Sequence, residues 1–401
     1  MARTEIEGIF YELHVPERIA GAVFPQIDPS RCIGCDTCQR YCPVDAITGR
    51  SGKPHALSFP AVCIGCGQCI VHCPESAVCE EHSRLAEVVG ELNSRRRLCV
   101  AMPSPSVRYT LGEAFGMPPG SVTTGRLRSA LLMLGFSSCW DVEFAADAAA
   151  CAMGRELLRR MQVPGAPPLF TTGCPAWIRY CETFHPDLLP CLSHCPPPES
   201  LCAAMAKSLG AERSGRDAKD LWTVLIAPCP AHKQYPLLRG ADAAKGIDAV
   251  IDARELAWLI KKAGIDLAHV PERGPDPLMG ESSGAATLFS APGGAAEAVL
   301  RFAAAELSGG GEAAPDFVPL RGMANMREAS FLLGSKEVRA AVVNGAKYFP
   351  AILEKIRSGM SRWQLVEFTA CPGGCLCGGG QPVMPAAKSL FDDGGNPFFP
   401  S

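Results

Sequence analysis

A run of four cysteines closed by a proline occurs twice in this sequence, and no other feature restricts the fold so tightly. Cys32-x2-Cys35-x2-Cys38-x3-Cys42-Pro43 returns as Cys63-x2-Cys66-x2-Cys69-x3-Cys73-Pro74. In such a run three closely spaced thiolates hold one [4Fe–4S] cube, and the fourth reaches across to the cube of the other run. The first cube is therefore expected on Cys32, Cys35, Cys38 and Cys73, and the second on Cys63, Cys66, Cys69 and Cys42. Each cube passes single electrons, so two in line make a wire. The rest of the chain should then hold a group that uses or supplies electrons. Disulfides are a poor reading of the same cysteines, since 21 of them packed into short arrays in a 401-residue chain would be hazardous under oxidation.

A chain of this length holds two to three domains of ordinary size. The repeat marks out residues 27–84 as a two-cluster, ferredoxin-like domain of short strands and helices around metal. An amphipathic, charged stretch from Glu80 to Arg97 suits a connecting helix. Residues 97–385 read as a second, larger domain, in which apolar bursts at Trp222 to Ala227 and Ala340 to Val343 predict buried strands and Ala253 to Ala263 predicts a helix. That alternation predicts an α/β domain with parallel sheets. Ser308 to Pro315 is expected to be a surface loop, and residues 386–401 a tail. With 38 basic against 41 acidic residues there is no broad positive surface for a phosphate backbone, so no nucleic-acid partner is expected. No apolar run is long enough to span a bilayer, and the N-terminus lacks the order of a secretory signal, so no membrane span and no export signal of its own are expected.

The large domain carries further cysteines in Gly- and Pro-rich settings. Cys174 sits in Thr-Thr-Gly-Cys-Pro-Ala-Trp and Cys229 in Ala-Pro-Cys-Pro-Ala-His-Lys. Cys371 and Cys375 sit in Thr-Ala-Cys-Pro-Gly-Gly-Cys-Leu-Cys-Gly-Gly-Gly-Gln-Pro. Four thiolates from three loops suit one more cube, and the glycines let backbone pass close to a cofactor beside it. These loops resemble the [FeFe]-hydrogenases, whose corresponding segments read TSCCPxW, MPCxxKxxE and MACPGGCxxGGGQP. The likeness runs from about residue 27 to 385 and is strongest to the large chain of the periplasmic two-chain enzymes of sulfate-reducing bacteria. It includes Met102-Pro-Ser-Pro-Ser-Val-Arg108, Phe115-Gly-Met-Pro, Gly120-Ser-Val-Thr-Thr-Gly125, Phe144-Ala-Ala-Asp147 and Cys377-Gly-Gly-Gly-Gln-Pro-Val-Met-Pro385.

That resemblance implies a catalytic domain of two lobes with the H-cluster between them. Cys174, Cys229, Cys371 and Cys375 would hold its cube, and Cys375 would bridge to a diiron unit carrying CO, cyanide and an azadithiolate, delivered by maturation proteins. Ser106 and Phe289 match the usual pocket residues, and Ser193, Glu156 and Arg160 match the outer proton relay. The chain departs from the family elsewhere. Gly173 stands where the relay Cys beside the amine belongs, and Met153 where the next carboxylate belongs. His232, followed by Lys233, takes the place of the Lys that bonds a cyanide. Ala227 and Thr369 replace two Met, which predicts a looser, wetter pocket, and Glu199 replaces a Gln. A buried carboxylate there would shift its pKa or carry protons.

The expected function is reversible oxidation of H2 to protons and electrons, slowed by the missing relay residues and linked through the two cubes to a cytochrome or ferredoxin. Alternatives are a hydrogen sensor, or an iron–sulfur assembly protein of the hydrogenase-related eukaryotic group, which lacks the diiron unit. The relatives' large chain pairs with a small chain that carries the export signal, so co-export to the periplasm is implied, or else a cytoplasmic location. Cys79, Cys99, Cys139, Cys151, Cys181 and Cys202 read as packing residues. Cys191, His194, Cys195 and Cys377 are left as structural or relay candidates.

Overall fold

The computed structural model describes residues 4–6, 9–11, 25–80, 84–237, 246–279, 281–309, 315–322 and 324–382. Near the N-terminus, Pro25–Ile27 pairs antiparallel with Val78–Glu80, and Ile47–Thr48 pairs with Ala56–Leu57. The short helices Thr37–Tyr41 and Gln68–Val71 complete this small unit. Its core is little more than Cys38, Ile47, Cys69, Ile70 and Val78. So small an apolar set cannot stabilise a domain alone, so the fold depends on metal and on packing against its neighbour. The helix Leu85–Ser94 lies inside the predicted connecting stretch.

The strands of the large domain are β1 (Leu98–Pro103), β2 (Ser138–Cys139), β3 (Leu169–Phe170), β4 (Leu221–Ala227), β5 (Ala249–Asp252), β6 (Met326–Leu333), β7 (Lys336–Asn344) and β8 (Leu365–Thr369). Its main helices are α1 (Val142–Arg160), α2 (Pro175–Phe184), α3 (Pro198–Met205), α4 (Ala253–Lys262) and α5 (Gly294–Ser308). One sheet runs β5-β4-β1-β2 and is parallel throughout. Every residue of β4 is buried, as a strand covered on both faces requires. The other sheet runs β6-β7-β8-β3, parallel except for β6, which returns antiparallel to β7 along its edge. The predicted strands at 222–227 and 340–343 lie within β4 and β7, and the helix predicted at 253–263 is α4. A capping box between Asp252 and Glu255 fixes its start.

Alanines line the α1–α5 contact. Ala146, Ala149 and Ala150 meet Ala295, Ala296 and Ala303 in one core. Residues 310–314, most of the predicted surface loop, and the tail from 383 onward lie outside the described residues. Among the described residues no helix is long and apolar enough to cross a membrane.

Candidate active site and electron path

In open parallel sheets the carboxyl ends of the strands border the ligand crevice, and both sheets obey this here. Cys174 follows β3, Cys229 follows β4, Cys371 and Cys375 follow β8, and Ser104 and Ser106 follow β1. Burial pushes the Cys229 thiol well up, and Cys371, Cys375 and Cys174 add to the shift, so these four side chains share one site. Cys174 caps the N-terminus of α2, and its Sγ accepts from the Ala370 amide at 3.4 Å. Helix end and amide both favour negative charge on that sulfur.

The N-terminal cysteines sort the same way. Burial pushes Cys38 up to about 11, reinforced by Cys32, Cys73 and Cys35. Burial also pushes Cys63 up to about 11, with Cys42 acting in the same direction. Two links join the sets: Cys69 is raised by its own burial and, among others, by Cys38, and Cys66 by burial and then by Cys371. The cysteines therefore line up as three groups in series, from the half-exposed Cys32 loop to the buried site between the sheets.

Thiols so buried and so close could not ionise against one another in an apolar interior. A group carrying several iron ions and taking four thiolates removes that penalty. The donor sets fit three cubes, and amides of Ala46, His55 and Ala77 donate to the sulfurs of Cys42, Cys32 and Cys73 at 3.2, 3.4 and 3.2 Å.

The second and third groups meet backbone to backbone. Gly67, at φ +72°, packs on Gly379 and Pro230, and a Cβ on Gly379 would fall inside the Cys66–Gly67 backbone. Only glycine allows that approach. Gln68 Nε2 also donates to the Cys377 carbonyl at 2.9 Å, tying the small unit to the last cysteine loop. Gly379→Ala should therefore cost about 1–3 kcal/mol of packing and part the two loops. Turnover driven through the small unit should fall while turnover driven by a small dye at the buried site persists, which paired assays would show.

Comparison with known proteins agrees with this geometry. Residues 97–379 match the family described as "Iron only hydrogenase large subunit, C-terminal domain", and residues 25–48 match the "4Fe-4S binding domain". The periplasmic [Fe] hydrogenase large subunit of Nitratidesulfovibrio vulgaris is 48% identical over 98% of this chain and 95% of that one. The chain belongs to the iron-only hydrogenase family. A solved [FeFe]-hydrogenase from Chlamydomonas reinhardtii superposes with a TM-score of 0.66 at 31% identity, over 78% of this chain and 87% of that one. A more distant relative is the cytosolic iron-sulfur assembly component 3 of Pongo abelii, 27% identical over 74% of this chain and 64% of its own length.

In this hydrogenase the residues expected to form an outer relay meet one another. Ser193 Oγ donates to Glu156 Oε2 at 2.6 Å, and Arg160 Nη2 donates to Glu156 Oε1 at 2.7 Å. His194 adds its amide at 3.0 Å and its Nδ1 at 2.9 Å, with its side chain mostly in solvent. Although burial opposes it, these bonds hold the Glu156 carboxyl below its ordinary pKa. The two altered positions offer no protic side chain. Met153 is fully buried in the α1–α5 core with Cys195 and Phe289, and Gly173 faces Phe289, 3.2 Å from where a Cβ would sit.

Pocket residues differ from expectation in detail. His232 Nδ1 lies 3.1 Å from Cys229 Sγ, and its Nε2 is 3.4 Å from Glu199 Oε1. Lys233 points the other way, to Glu255 Oε2 at 2.9 Å, and is no substitute for the family lysine. The Thr369 hydroxyl, expected to wet the pocket, donates to Asn344 Oδ1 at 2.6 Å, where the two residues pair at the C-terminal ends of β8 and β7. Cys99, Cys139, Cys181 and Cys202 are buried as expected, Cys151 is partly buried, and Cys79 is exposed.

Sequence reading missed several supports. Gln381 Nε2 donates to Ser106 Oγ at 3.1 Å and to the Cys375 carbonyl at 3.0 Å, and its Oε1 accepts from Thr110 at 2.6 Å. It thus pins the Cys375 loop to the β1 loop. Glu367 accepts from the amides of Gly293 and Ala296 at the start of α5, and burial pushes its carboxyl up to about 7. The Gln within GGGQP was a visible signal, whereas nothing local marked Glu367.

Proposed function

We propose that this hydrogenase interconverts H2 with protons and electrons at an H-cluster, its electrons passing through two [4Fe–4S] clusters to a redox protein, a cytochrome or ferredoxin. The observation that carries the proposal is the buried convergence of Cys174, Cys229, Cys371 and Cys375 from both sheets, directly behind the Cys63 loop. When bound, the H-cluster would supply an open iron acting as a Lewis acid and an amine acting as a base. The chain's own residues do the rest. Cys174, Cys229, Cys371 and Cys375 would hold the cube, and Cys375 would also be the attachment point of the diiron unit. His232 offers a hydrogen-bond donor to the pocket, while Ser106 and Phe289 shape its wall.

Ser193, Glu156 and Arg160 form the route by which protons pass toward the surface, and turnover along that route is slowed where Gly173 and Met153 interrupt it. A small hydrogenase chain as partner, with co-export to the periplasm, follows the relative named as a periplasmic large subunit.

Iron counting and infrared spectroscopy test this reading. Protein reconstituted without maturation should bind about twelve irons, from three cubes of four thiolates each. Maturation should add about two more, with carbonyl and cyanide bands. Eight irons would remove the cube from the large domain. A matured sample without those bands would leave the reading of an assembly protein, and bands with negligible turnover would leave that of a sensor.

A further inference from the structure

Glu199 brings a buried carboxylate to the pocket wall and leaves one of its oxygens unclaimed. It stands in the first turn of α3 and is only 5% exposed. Oε1 accepts from Ser104 Oγ at 3.2 Å and lies 3.4 Å from His232 Nε2. Oε2 is buried without a hydrogen-bond partner. The charge of Glu199 acts on both Cys174 and Cys375, so the carboxylate lies beside the loops that hold the buried site. An orphaned carboxylate oxygen in a dry interior is costly to keep unless it has work to do there. Elsewhere, Gly173 has no side chain to offer and Met153 no proton.

We propose that Glu199 is the proton donor and acceptor of the hydrogen reaction, taking over from the absent side chain at Gly173. This rests on the hydrogenase reading above. Evolution of one H2 consumes two protons and two electrons, and the electrons arrive through the cubes. Each proton leaves Glu199 Oε2 as its O–H bond breaks; the carboxylate then regains one at Oε1 from the Ser104 hydroxyl, which in the same concerted step takes a proton from a solvent water, and rotation of the carboxyl group returns the O–H to the unclaimed side. Oxidation of H2 runs the same transfers backwards. Ser104 already donates to Oε1, so the recharging bond exists before the reaction begins.

The test uses the matured full chain. Glu199→Gln keeps an acceptor for Ser104 and the shape of the side chain but holds no transferable proton. Hydrogen evolution with saturating reduced dye should fall about 10²–10⁴-fold, the usual worth of a general acid, while iron content and the carbonyl and cyanide bands stay as in the unaltered protein. Adding Gly173→Cys and Met153→Glu to Glu199→Gln should restore much of the rate by reopening the Ser193 route. A second readout does not need the diiron unit. Reduction of the protein carrying only its cubes should produce a protonated-carboxyl infrared band that shifts in heavy water and is lost in Glu199→Gln. An undiminished rate in Glu199→Gln, or no such band in the unaltered protein, overturns the proposal. Absence of carbonyl and cyanide bands from the matured unaltered protein overturns the hydrogenase reading instead.

Discussion

Replacing Cys375 with alanine is expected to empty the large domain of its cube and, with it, the attachment point of the diiron unit. Three thiols would remain there, each raised well above or above its ordinary pKa by burial and by its neighbours, and three such groups hold a cube poorly. Iron in the reconstituted chain should drop from about twelve to about eight, because the cubes of the N-terminal unit need four thiolates each and lose none. Carbonyl and cyanide bands should vanish after maturation. Cys32→Ala should behave differently. It touches the group furthest from the buried site, so the bands and dye-driven hydrogen evolution should survive while exchange with a protein partner is lost. Equal loss of the bands in both variants would contradict the division into wire and reaction centre.

The largest effect on stability is expected at Arg108. Its Nη2 meets both Asp141 oxygens at 2.8 Å, its Nη1 lies 3.1 Å from Glu143 Oε1, and all three side chains are nearly inaccessible. Asp141 also caps α1, so one guanidinium joins the β1 loop to the helix that carries Glu156. Burial already pushes the Glu143 carboxyl up to about 6 against the pull of Arg108. Arg108→Met would leave two buried carboxylates with only Arg128, 3.5 Å from Asp141 Oδ2, to offset them, and should cost about 3–5 kcal/mol. Denaturant unfolding of the unmatured protein would measure it. Replacing Asp141 and Glu143 with Asn and Gln in the same variant should recover part of the loss, since neutral amides no longer need the charge. An Arg108→Met protein as stable as the original would mean that the network contributes nothing.

How much of this was legible in the sequence follows from how local each feature is. The cubes of the N-terminal unit could be assigned from spacing alone, because thiolates two and three residues apart on one tight loop have few other ways to point. Strands such as β4 could be placed because burial on both faces leaves an unbroken apolar run, and α4 because its apolar period and its Asp252–Glu255 cap are both written within a few residues. The joining of Cys174, Cys229 and Cys371 was suggested by their number and their Gly- and Pro-rich settings and supported by family resemblance, since nothing within each loop says that it meets the others.

Hydrogen-bond partners were decided by the tertiary structure. Thr369 was read as a pocket hydroxyl and turned out to bond Asn344, and Lys233 stood next to His232 in sequence but faces Glu255 in space. The glycines around Cys371 and Cys375 were read as letting backbone pass close to a cofactor, whereas Gly379 is denied a side chain by the backbone of Gly67, from the other end of the chain. Glu199 could be recognised as a carboxylate in an unusual place, yet its unclaimed oxygen depends on Ser104 and His232, which come from two other loops. Spacing along the chain settles which side chains can reach one metal from one loop. The partner of a buried polar atom is settled by whichever segments the two sheets bring against it, and that information exists only once the chain has folded.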